Sequence, residues 1–244
     1  MTNGNVSLNK RQGLLAASVV IGLAMIVCCL IAAGTAVKVR GMGNTIRVTG
    51  AAFQPIQSDL ALWDGQFSVQ SMVLEDAYET LKSHRAKVAE FMSKSGFAES
   101  EYEFSVVRLH KRMTHDRRVG GYTVSQTVGI KLEDVDRITA LAKEASTLIE
   151  QGVAMESHSP QYLFTGLDTL KIEMIRRATE NAKLRAAQLA ETTGRRVGAP
   201  ISAGVGVFQI RPLHSQQVSG RGISDVSSID KEIVSTVHVN FLIE

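Results

Sequence analysis

Cysteine is nearly absent from this chain of 244 residues, which contains only Cys28 and Cys29. The two stand side by side in an apolar stretch, and neighbouring residues of a helix point in different directions, so we expect no disulfide between them. No cysteine follows residue 29, so the larger part of the chain has neither disulfides nor thiol chemistry. About 200 residues are nevertheless enough to form a hydrophobic core without covalent cross-links.

The sequence also lacks the common signatures of catalytic and cofactor sites. No G-x-S-x-G pentapeptide indicates a nucleophilic serine, and no glycine-rich loop ends in Gly-Lys-Ser or Gly-Lys-Thr. No pair of histidines has the H-x-x-x-H spacing that is typical of a metal site on a helix. The six histidines are His84, His110, His115, His158, His214 and His238. We therefore expect a protein that is not an enzyme and that binds no metal or cofactor.

Acidic residues are missing from the first 40 positions, where four lysines and arginines lie. Residues 41–244 consequently carry 23 Lys and Arg against 24 Asp and Glu, a net charge of −1, although the whole chain has a net charge of +3. The net positive charge of the chain therefore comes from its N-terminal part. It does not indicate a nucleic-acid-binding domain.

One long segment, residues 13–37, has no charged residue and no histidine. A helix rises about 1.5 Å per residue, so about 20 residues cross the hydrocarbon core of a bilayer, and this segment is long enough. Lys10 and Arg11 precede it, and Lys38 and Arg40 follow it. With the α-amino group, the N-terminal side has a small excess of positive charge, which favours a cytoplasmic location for that side. We predict a single transmembrane anchor at residues 13–37.

The alternative is a cleaved signal peptide, since residues 34–36 offer small side chains for a cleavage site. The apolar run is longer than the roughly 7–15 residues usual for the core of a signal peptide, which favours the anchor. The anchor divides the chain into a cytoplasmic tail at 1–12, a linker at 38–44 and a domain at 45–244. Under either interpretation, we expect the domain to lie outside the cytoplasm.

Hydrophobic periodicity after residue 44 predicts the element order β-β-α-β-β-α-β-α-β-β. Strands are predicted at 45–50, 60–69, 102–109, 122–130, 153–164, 197–210 and 233–243, and helices at 73–94, 135–149 and 166–193. Pro55 marks a turn between the first two strands, and a polar loop at 212–230 joins the last two. Because strands meet mostly through hairpins, we predict an α+β fold after the transmembrane helix. It has antiparallel sheets and three amphipathic helices in two joined lobes, which divide near residue 130.

The third predicted helix is rich in alanine on its apolar face. The residues of that face are Leu167, Leu170, Met174, Ala178, Ala182 and Leu189. Small side chains allow a helix to approach its neighbour closely, so we expect this helix to pack tightly on a sheet.

Positive charge is also concentrated in the predicted hairpin in the middle of the domain. Its five Lys and Arg residues are Arg108, Lys111, Arg112, Arg117 and Arg118, with two histidines among them and one acid, Asp116. The first interpretation is a solvated hairpin tip. The second is a contact with an anion or a lipid headgroup, in which each cation near an anionic surface contributes about 1 kcal/mol.

Several short motifs resemble those of one known family. They are TIRVTG at 45–50, SDLA at 58–61, GYTVSQT at 121–127, LEDVD at 132–136, the alanine-rich stretch at 177–194, VG at 197–198 and IVSTVHVNF at 233–241. On these motifs, the region from 45 to 243 resembles the SIMPL domain family (domain of unknown function 541). The motifs are strand edges, helix faces and caps, so the resemblance brings no catalytic residues with it.

The resemblance implies a bacterial protein of the envelope, since relatives are envelope or secreted proteins and some are linked to oxidative-stress defence. Some relatives assemble into ring-like or channel-like homo-oligomers. We therefore expect a non-enzymatic, single-pass protein of the inner membrane, with its domain outside the cytoplasm, that self-assembles and supports envelope or stress functions. The first alternative is a ligand-binding module with a groove between its lobes, and the second is an enzyme with a dispersed site.

Overall fold

The computed structural model describes residues 22–35 and 44–244. Residues 22–35 are helical, and both cysteines lie on this helix as free, exposed thiols. None of the described helices is long and apolar enough to cross a membrane. The predicted tail at 1–12, the remainder of the predicted anchor and most of the linker at 38–44 lie outside the described residues.

Residues 44–244 form eleven strands and four helices. The strands are β1 Thr45–Gln57, β2 Leu60–Ser71, β3 Tyr102–Phe104, β4 Arg108–Met113, β5 Val119–Leu132, β6 Met155–Ser157, β7 Gln161–Leu163, β8 Val197–Val205, β9 Gln209–Pro212, β10 Ile223–Ser224 and β11 Asp230–Ile243. The helices are α1 Leu74–Lys94, α2 Val135–Glu144, α3 Thr147–Glu150 and α4 Leu167–Thr192. This content confirms the α+β class predicted from the sequence.

A six-stranded sheet has the order β3-β5-β2-β6, with β4 also paired to β5 and β7 also paired to β2. All of its strand pairs are antiparallel, and the longest runs from Ala61 opposite Leu132 to Ser71 opposite Tyr122. Alternate residues of β2 and β5, such as Phe67 and Val124, are buried in a cluster with apolar residues of α1, α2 and α3. Helices therefore cover one face of this sheet.

A five-stranded sheet has the order β1-β11-β9-β10, with β8 also paired to β11. β9 and β11 are antiparallel, but β9 and β10 are parallel, with Ile223 opposite Gln209. The sheet is thus mixed, which corrects the expectation of purely antiparallel sheets. The predicted polar loop at 212–230 contains β10, a two-residue strand that is too short for periodicity to detect.

The chain divides into two compact units. One contains the described residues up to Gly50 together with Thr179–Gly204 and Val237–Glu244, and the other contains Ala51–Ala178 and Val205–Thr236. The predicted division near residue 130 is wrong, because β5 passes through that position as an interior strand of the six-stranded sheet. Sequence order is a poor guide here, since both units are built from separate stretches of the chain.

Several predicted elements are interrupted. The helix predicted at 135–149 is divided into α2 and α3, so the structure has four helices after residue 44 where three were expected. The strands predicted at 102–109, 153–164 and 197–210 are each divided in two. Pro55, predicted to lie in a turn, is inside β1. β1 is at the end of its sheet, where a residue without an N–H group is tolerated.

The apolar face of α4 is richer in alanine than predicted. Leu189 is half exposed, and Ala186 and Ala190 are buried in its place. Together with Met174, Ala178 and Ala182, these two alanines form a buried stripe with a residue at every fourth position. Such a row is slightly inclined to the helix axis, so the buried face rotates along a helix of 26 residues.

Candidate functional site

The five cations singled out in the sequence all lie on one exposed hairpin, residues 108–118, which we call the basic hairpin. They are Arg108, Lys111 and Arg112 on β4, and Arg117 and Arg118 in the turn that leads to β5. Every residue of the basic hairpin is exposed. The local sequence forms this structure because β4 and β5 pair antiparallel on either side of a short turn.

β4 is an edge strand, and both of its faces are exposed. Leu109 of β4 lies opposite Val124 of β5. Val124 is buried in the core, whereas Leu109 remains half exposed, so the helices do not extend over β4. Because side chains alternate between the faces of a strand, Arg108 and Arg112 lie on one face and Lys111 on the other. The cations therefore form an extended surface rather than a pocket around one small anion.

Thr114 holds the turn of the basic hairpin in one conformation. Its backbone N–H donates to the carbonyl oxygen of Arg118 at 2.8 Å, and its carbonyl oxygen accepts from the N–H of Arg117 at 3.0 Å. Its Oγ1 also accepts from the N–H of Arg118 at 3.2 Å. Arg117 has a φ of 58°, in the left-handed region that residues other than glycine seldom adopt. A charged side chain thus occupies a turn position that suits glycine better.

Arg112 extends from β4 across β5 to β2, where its Nη1 donates a hydrogen bond to Oε1 of Gln70. Gly121 of β5 lies between them, with a φ of 144°. A Cβ atom at this glycine would lie 3.0 Å from the carbonyl oxygen of Ser71 and 3.7 Å from Nε of Arg112. A side chain at position 121 would therefore crowd the Ser71 carbonyl and would meet Arg112 only at an ordinary contact distance.

Exposed apolar side chains accompany the cations. Leu109 and Met113 on the hairpin, and Val119 directly after it, are 48%, 58% and 47% exposed. Met72 at the end of β2 is also exposed, and its sulfur would lie 3.6 Å from a Cβ atom at Gly121. Sequence reasoning did not single out these residues, because alternation alone does not show how far a helix layer extends over a sheet.

A cleft of about 430 Å³ opens beside the six-stranded sheet. Its lining includes the carboxylates of Asp64, Glu101 and Glu103, the ammonium group of Lys131 and the ring of Tyr102. Glu101 is already engaged in an ion pair at 3.5 Å with an arginine of α2. These residues come from distant positions in the sequence and form no local motif, so sequence reasoning did not find them.

A histidine–carboxylate pair borders this cleft. Nδ1 of His158 lies 2.6 Å from Oδ2 of Asp64, and the backbone N–H of His158 donates to the carbonyl oxygen of Asp64 at 3.1 Å. The hydrogen bond to the carboxylate raises the pKa of His158, and desolvation opposes part of that rise. His158 also lines a second cleft of about 360 Å³ together with Lys143 and Tyr162.

In the ranges 22–35 and 44–244, no three His, Cys, Asp or Glu side chains are close enough together to hold a metal ion. Among the described residues, no hydroxyl or thiol group forms a side-chain hydrogen bond with His158 or Asp64 that would mark it as a nucleophile. The geometry of this pair is suited to holding a proton or a polar ligand.

The fold therefore defines an α+β domain with two sheets and an exposed basic hairpin. The family model for SIMPL, a protein of unknown function (DUF541), matches residues 46–241. The chain belongs to this family, which confirms the resemblance seen in the sequence. No curated protein matches the chain.

Similarities to solved structures are weak. A hydantoinase/carbamoylase family amidase from Burkholderia phymatum is 11% identical, with a TM-score of 0.29 over 52% of this chain and 35% of the amidase. An amidase of the same family from Burkholderia ambifaria is 13% identical, with a TM-score of 0.27 over 52% of this chain and 34% of the amidase. The designed protein Foldit4 is 16% identical, with a TM-score of 0.21 over 41% of this chain and 93% of the designed chain. The chain thus spans about a third of either amidase, and these overlaps are too weak to indicate a shared fold or activity.

Proposed function

We propose that this chain is a non-enzymatic SIMPL protein of the bacterial inner membrane that self-associates through its domain outside the cytoplasm and supports envelope or oxidative-stress functions. The observation that carries self-association is the exposure of β8. This strand pairs with β11, and no other strand of the described chain covers its outer edge. An exposed strand edge is a template for pairing with another chain unless something covers it.

The side chains of β8 also favour association. Its odd-numbered positions, which share one face, are all apolar, and Ile201 and Val205 at these positions are 51% and 52% exposed. Burial of this apolar row against a second copy would contribute about 25 cal/mol of favourable free energy for each Å² removed from water. Pro200 lies on the same strand and has no N–H group to donate. We therefore place the contact with a second copy in the apolar side chains of this face.

The proposed anchor is supported by the uncharged segment 13–37 and by the helical state of residues 22–35. The side chains of Leu23, Ile26, Leu30 and Ile31 on that helix are all exposed. Apolar side chains around the whole circumference of a helix are typical of a segment surrounded by lipid. Attachment to one membrane also raises the effective concentration of the domains, which strengthens weak contacts between copies.

The test is the mass of the full-length protein, solubilised in detergent and measured by light scattering with the detergent contribution subtracted. A mass of several chains, with the N-terminal segment retained in the intact-mass spectrum, is expected. A single-chain mass at every accessible concentration would overturn self-association. Loss of the N-terminal segment would overturn the anchor and favour the signal peptide.

A ligand-binding role is the second candidate, and the cleft beside the six-stranded sheet favours it. Its volume of about 430 Å³ is within the range of small-molecule sites, and carboxylates and a cation converge on it. Thermal-shift screening with polar metabolites tests this candidate, with Glu103→Gln as the site variant and the exposed Glu79→Gln as its matched control. A ligand that stabilises the parent and Glu79→Gln but not Glu103→Gln would support it, and the absence of any such ligand would count against it.

A further inference from the structure

We propose that the basic hairpin is a docking surface for an anionic phospholipid membrane. Its cations contact the lipid phosphates, and the apolar side chains beside them enter the bilayer interface. This inference rests on the membrane placement proposed above, since a lipid surface must lie within reach of the domain. It assigns the basic hairpin a role that family membership alone does not supply.

The charge of the surface is the first argument. Five Lys and Arg residues face one acid, Asp116, within the basic hairpin. None of the salt bridges within the described residues involves these five cations, so their charge is not neutralised locally. The basic hairpin has a net charge of +4, so the rest of residues 41–244 has −1 − 4 = −5 and differs from it in sign. The concentration of charge indicates an anionic partner.

The apolar side chains are the second argument, because they distinguish a membrane from other anionic partners. Leu109 and Met113 lie among the cations of β4 and remain exposed. Exposed apolar residues interleaved with Lys and Arg are the composition of segments that lie in the membrane interface. Single-stranded nucleic acids are bound instead by cations combined with aromatic rings that stack on bases. The basic hairpin contains no Phe, Tyr or Trp.

The third argument is the rigid geometry of the tip. Thr114 fixes the turn through three hydrogen bonds, and Arg117 is held there at a φ of 58°. A backbone conformation that disfavours the residue present is often retained for a functional reason. The backbone at Arg117 and Arg118 is thus already ordered before binding, which reduces the conformational entropy that this part of the turn loses on binding.

The test uses the full-length protein in nanodiscs of phosphatidylcholine, which keep the N-terminal segment in a neutral bilayer. These are mixed with sedimentable vesicles of phosphatidylcholine, with or without phosphatidylglycerol, and the bound fraction is measured by co-sedimentation. Empty nanodiscs give the background. The parent is expected to bind the vesicles that contain phosphatidylglycerol and not the neutral ones, with an affinity that falls as salt concentration rises.

The charge variant replaces Arg108, Lys111, Arg117 and Arg118 with Gln and leaves Arg112 in place, since that side chain also bonds Gln70. Each replacement is expected to weaken binding about fivefold, which corresponds to ~1 kcal/mol per cation, so four together cost several hundredfold. The matched control replaces four exposed cations of the same unit, Lys82, Lys94, Lys143 and Arg221, with Gln. It changes the net charge equally and is expected to bind within about threefold of the parent.

A second pair of variants isolates the apolar contribution. Leu109→Ser with Met113→Ser is expected to weaken vesicle binding about tenfold, whereas Ile149→Ser with Ile172→Ser, at exposed positions elsewhere in the same unit, leaves it unchanged. Circular dichroism confirms that each variant is folded. Three results would overturn the proposal: no binding by the parent, an equal loss in the charge-matched control, or binding that excess soluble glycerophosphate abolishes. Tighter binding to a single-stranded oligonucleotide than to the vesicles would also overturn it.

Failure of this proposal and failure of the proposed function are distinguishable. The added vesicles are separate from the nanodisc bilayer that holds the anchor, so their binding depends on the basic hairpin. A monomeric chain can bind them as well as an oligomer can. A single-chain mass in detergent would overturn self-association and leave vesicle binding as it is. Absence of vesicle binding would leave the anchor and the assembly as proposed.

Discussion

The ammonium group of Lys231, at the start of β11, donates a hydrogen bond to the carbonyl oxygen of Tyr162 on β7 at 2.6 Å. A second bond of 2.6 Å goes to the carbonyl oxygen of Asp225. Lys231 is 1% exposed, and its burial lowers the pKa of the ammonium group, while the charge of Asp225 acts in the opposite direction. One buried cation therefore joins β7, β11 and the segment that precedes β11.

We expect Lys231→Met to lower the free energy of unfolding by about 2–4 kcal/mol. One buried and one partly buried carbonyl group lose their donor, at up to about 1–3 kcal/mol each, and removal of a buried charge offsets part of that cost. Urea denaturation of the full-length protein in detergent, followed by the fluorescence of the single tryptophan, measures the change. Lys131→Met, at an exposed position, is the control, with an expected change below about 0.5 kcal/mol. A Lys231→Met variant as stable as this control would show that the two bonds contribute nothing.

The pair formed by His158 and Asp64 predicts a pH-dependent term in stability. The hydrogen bond to the carboxylate raises the pKa of His158 above 6.5, its value in the unfolded chain. A raised pKa in the folded state means that the stabilisation is fully present below pH 6.5 and is lost as pH rises through the folded-state pKa. Both side chains are half exposed, so we expect less than about 1 kcal/mol.

Asp64→Asn removes the carboxylate and tests this term. The NMR titration of the His158 ring protons is expected to move to lower pH in the variant, and the difference in stability from the parent should be larger at pH 5 than at pH 8. Asp76→Asn, at an exposed position in the first turn of α1, provides the control. An unchanged titration of His158 in Asp64→Asn would contradict the assigned cause of the shift.

Most of the element order could be predicted from the sequence, because the long elements have strong periodicity. β2, α1 and β5 begin and end within a few residues of their predicted bounds. The interruptions could not be predicted, since they depend on tertiary hydrogen bonds. For example, the N–H of Gly206 donates to the carbonyl oxygen of Thr236 where the strand predicted at 197–210 is divided. The pairing partners of a strand likewise follow from the whole fold, so the parallel pair β9 and β10 left no local signal.

The candidate site was only half predictable. The cations of the basic hairpin are visible in the sequence as a run of like charge, whereas the exposure of Leu109 and Met113 depends on where the helices stop. The bond between Arg112 and Gln70 joins residues 42 positions apart, so only the strand register reveals it. The same holds for His158 and Asp64, which are separated by 94 positions.

The alanine stripe of α4 predicts a strict limit on side-chain size. Ala186 is completely buried. The neighbouring residue, Arg185, donates from its Nη1 to the carbonyl oxygen of Thr49 on β1 at 3.0 Å, so this part of the helix lies close to β1. A larger side chain at position 186 must displace the helix or adopt a strained rotamer, at about 1–3 kcal/mol. Ala186→Leu is therefore expected to lower the unfolding free energy, measured by urea denaturation, by that amount. Ala187→Leu makes the same change at the neighbouring exposed position and should have little effect; equal stability of the two variants would contradict close packing.

Self-association through β8 predicts that a single charge disrupts the assembly. Ile201 is exposed, so Ile201→Asp leaves the fold of one chain intact, yet it introduces a carboxylate into the apolar row that would face a second copy. Burying an unpaired charge costs several kcal/mol, enough to dissociate a contact of micromolar affinity. We expect the detergent-solubilised Ile201→Asp chain to have a lower mass than the parent, with an unchanged circular dichroism spectrum. Val218→Asp adds the same charge at an exposed apolar position outside any strand and should retain the parent mass. If both variants keep the parent mass, copies of the chain meet through a surface other than β8.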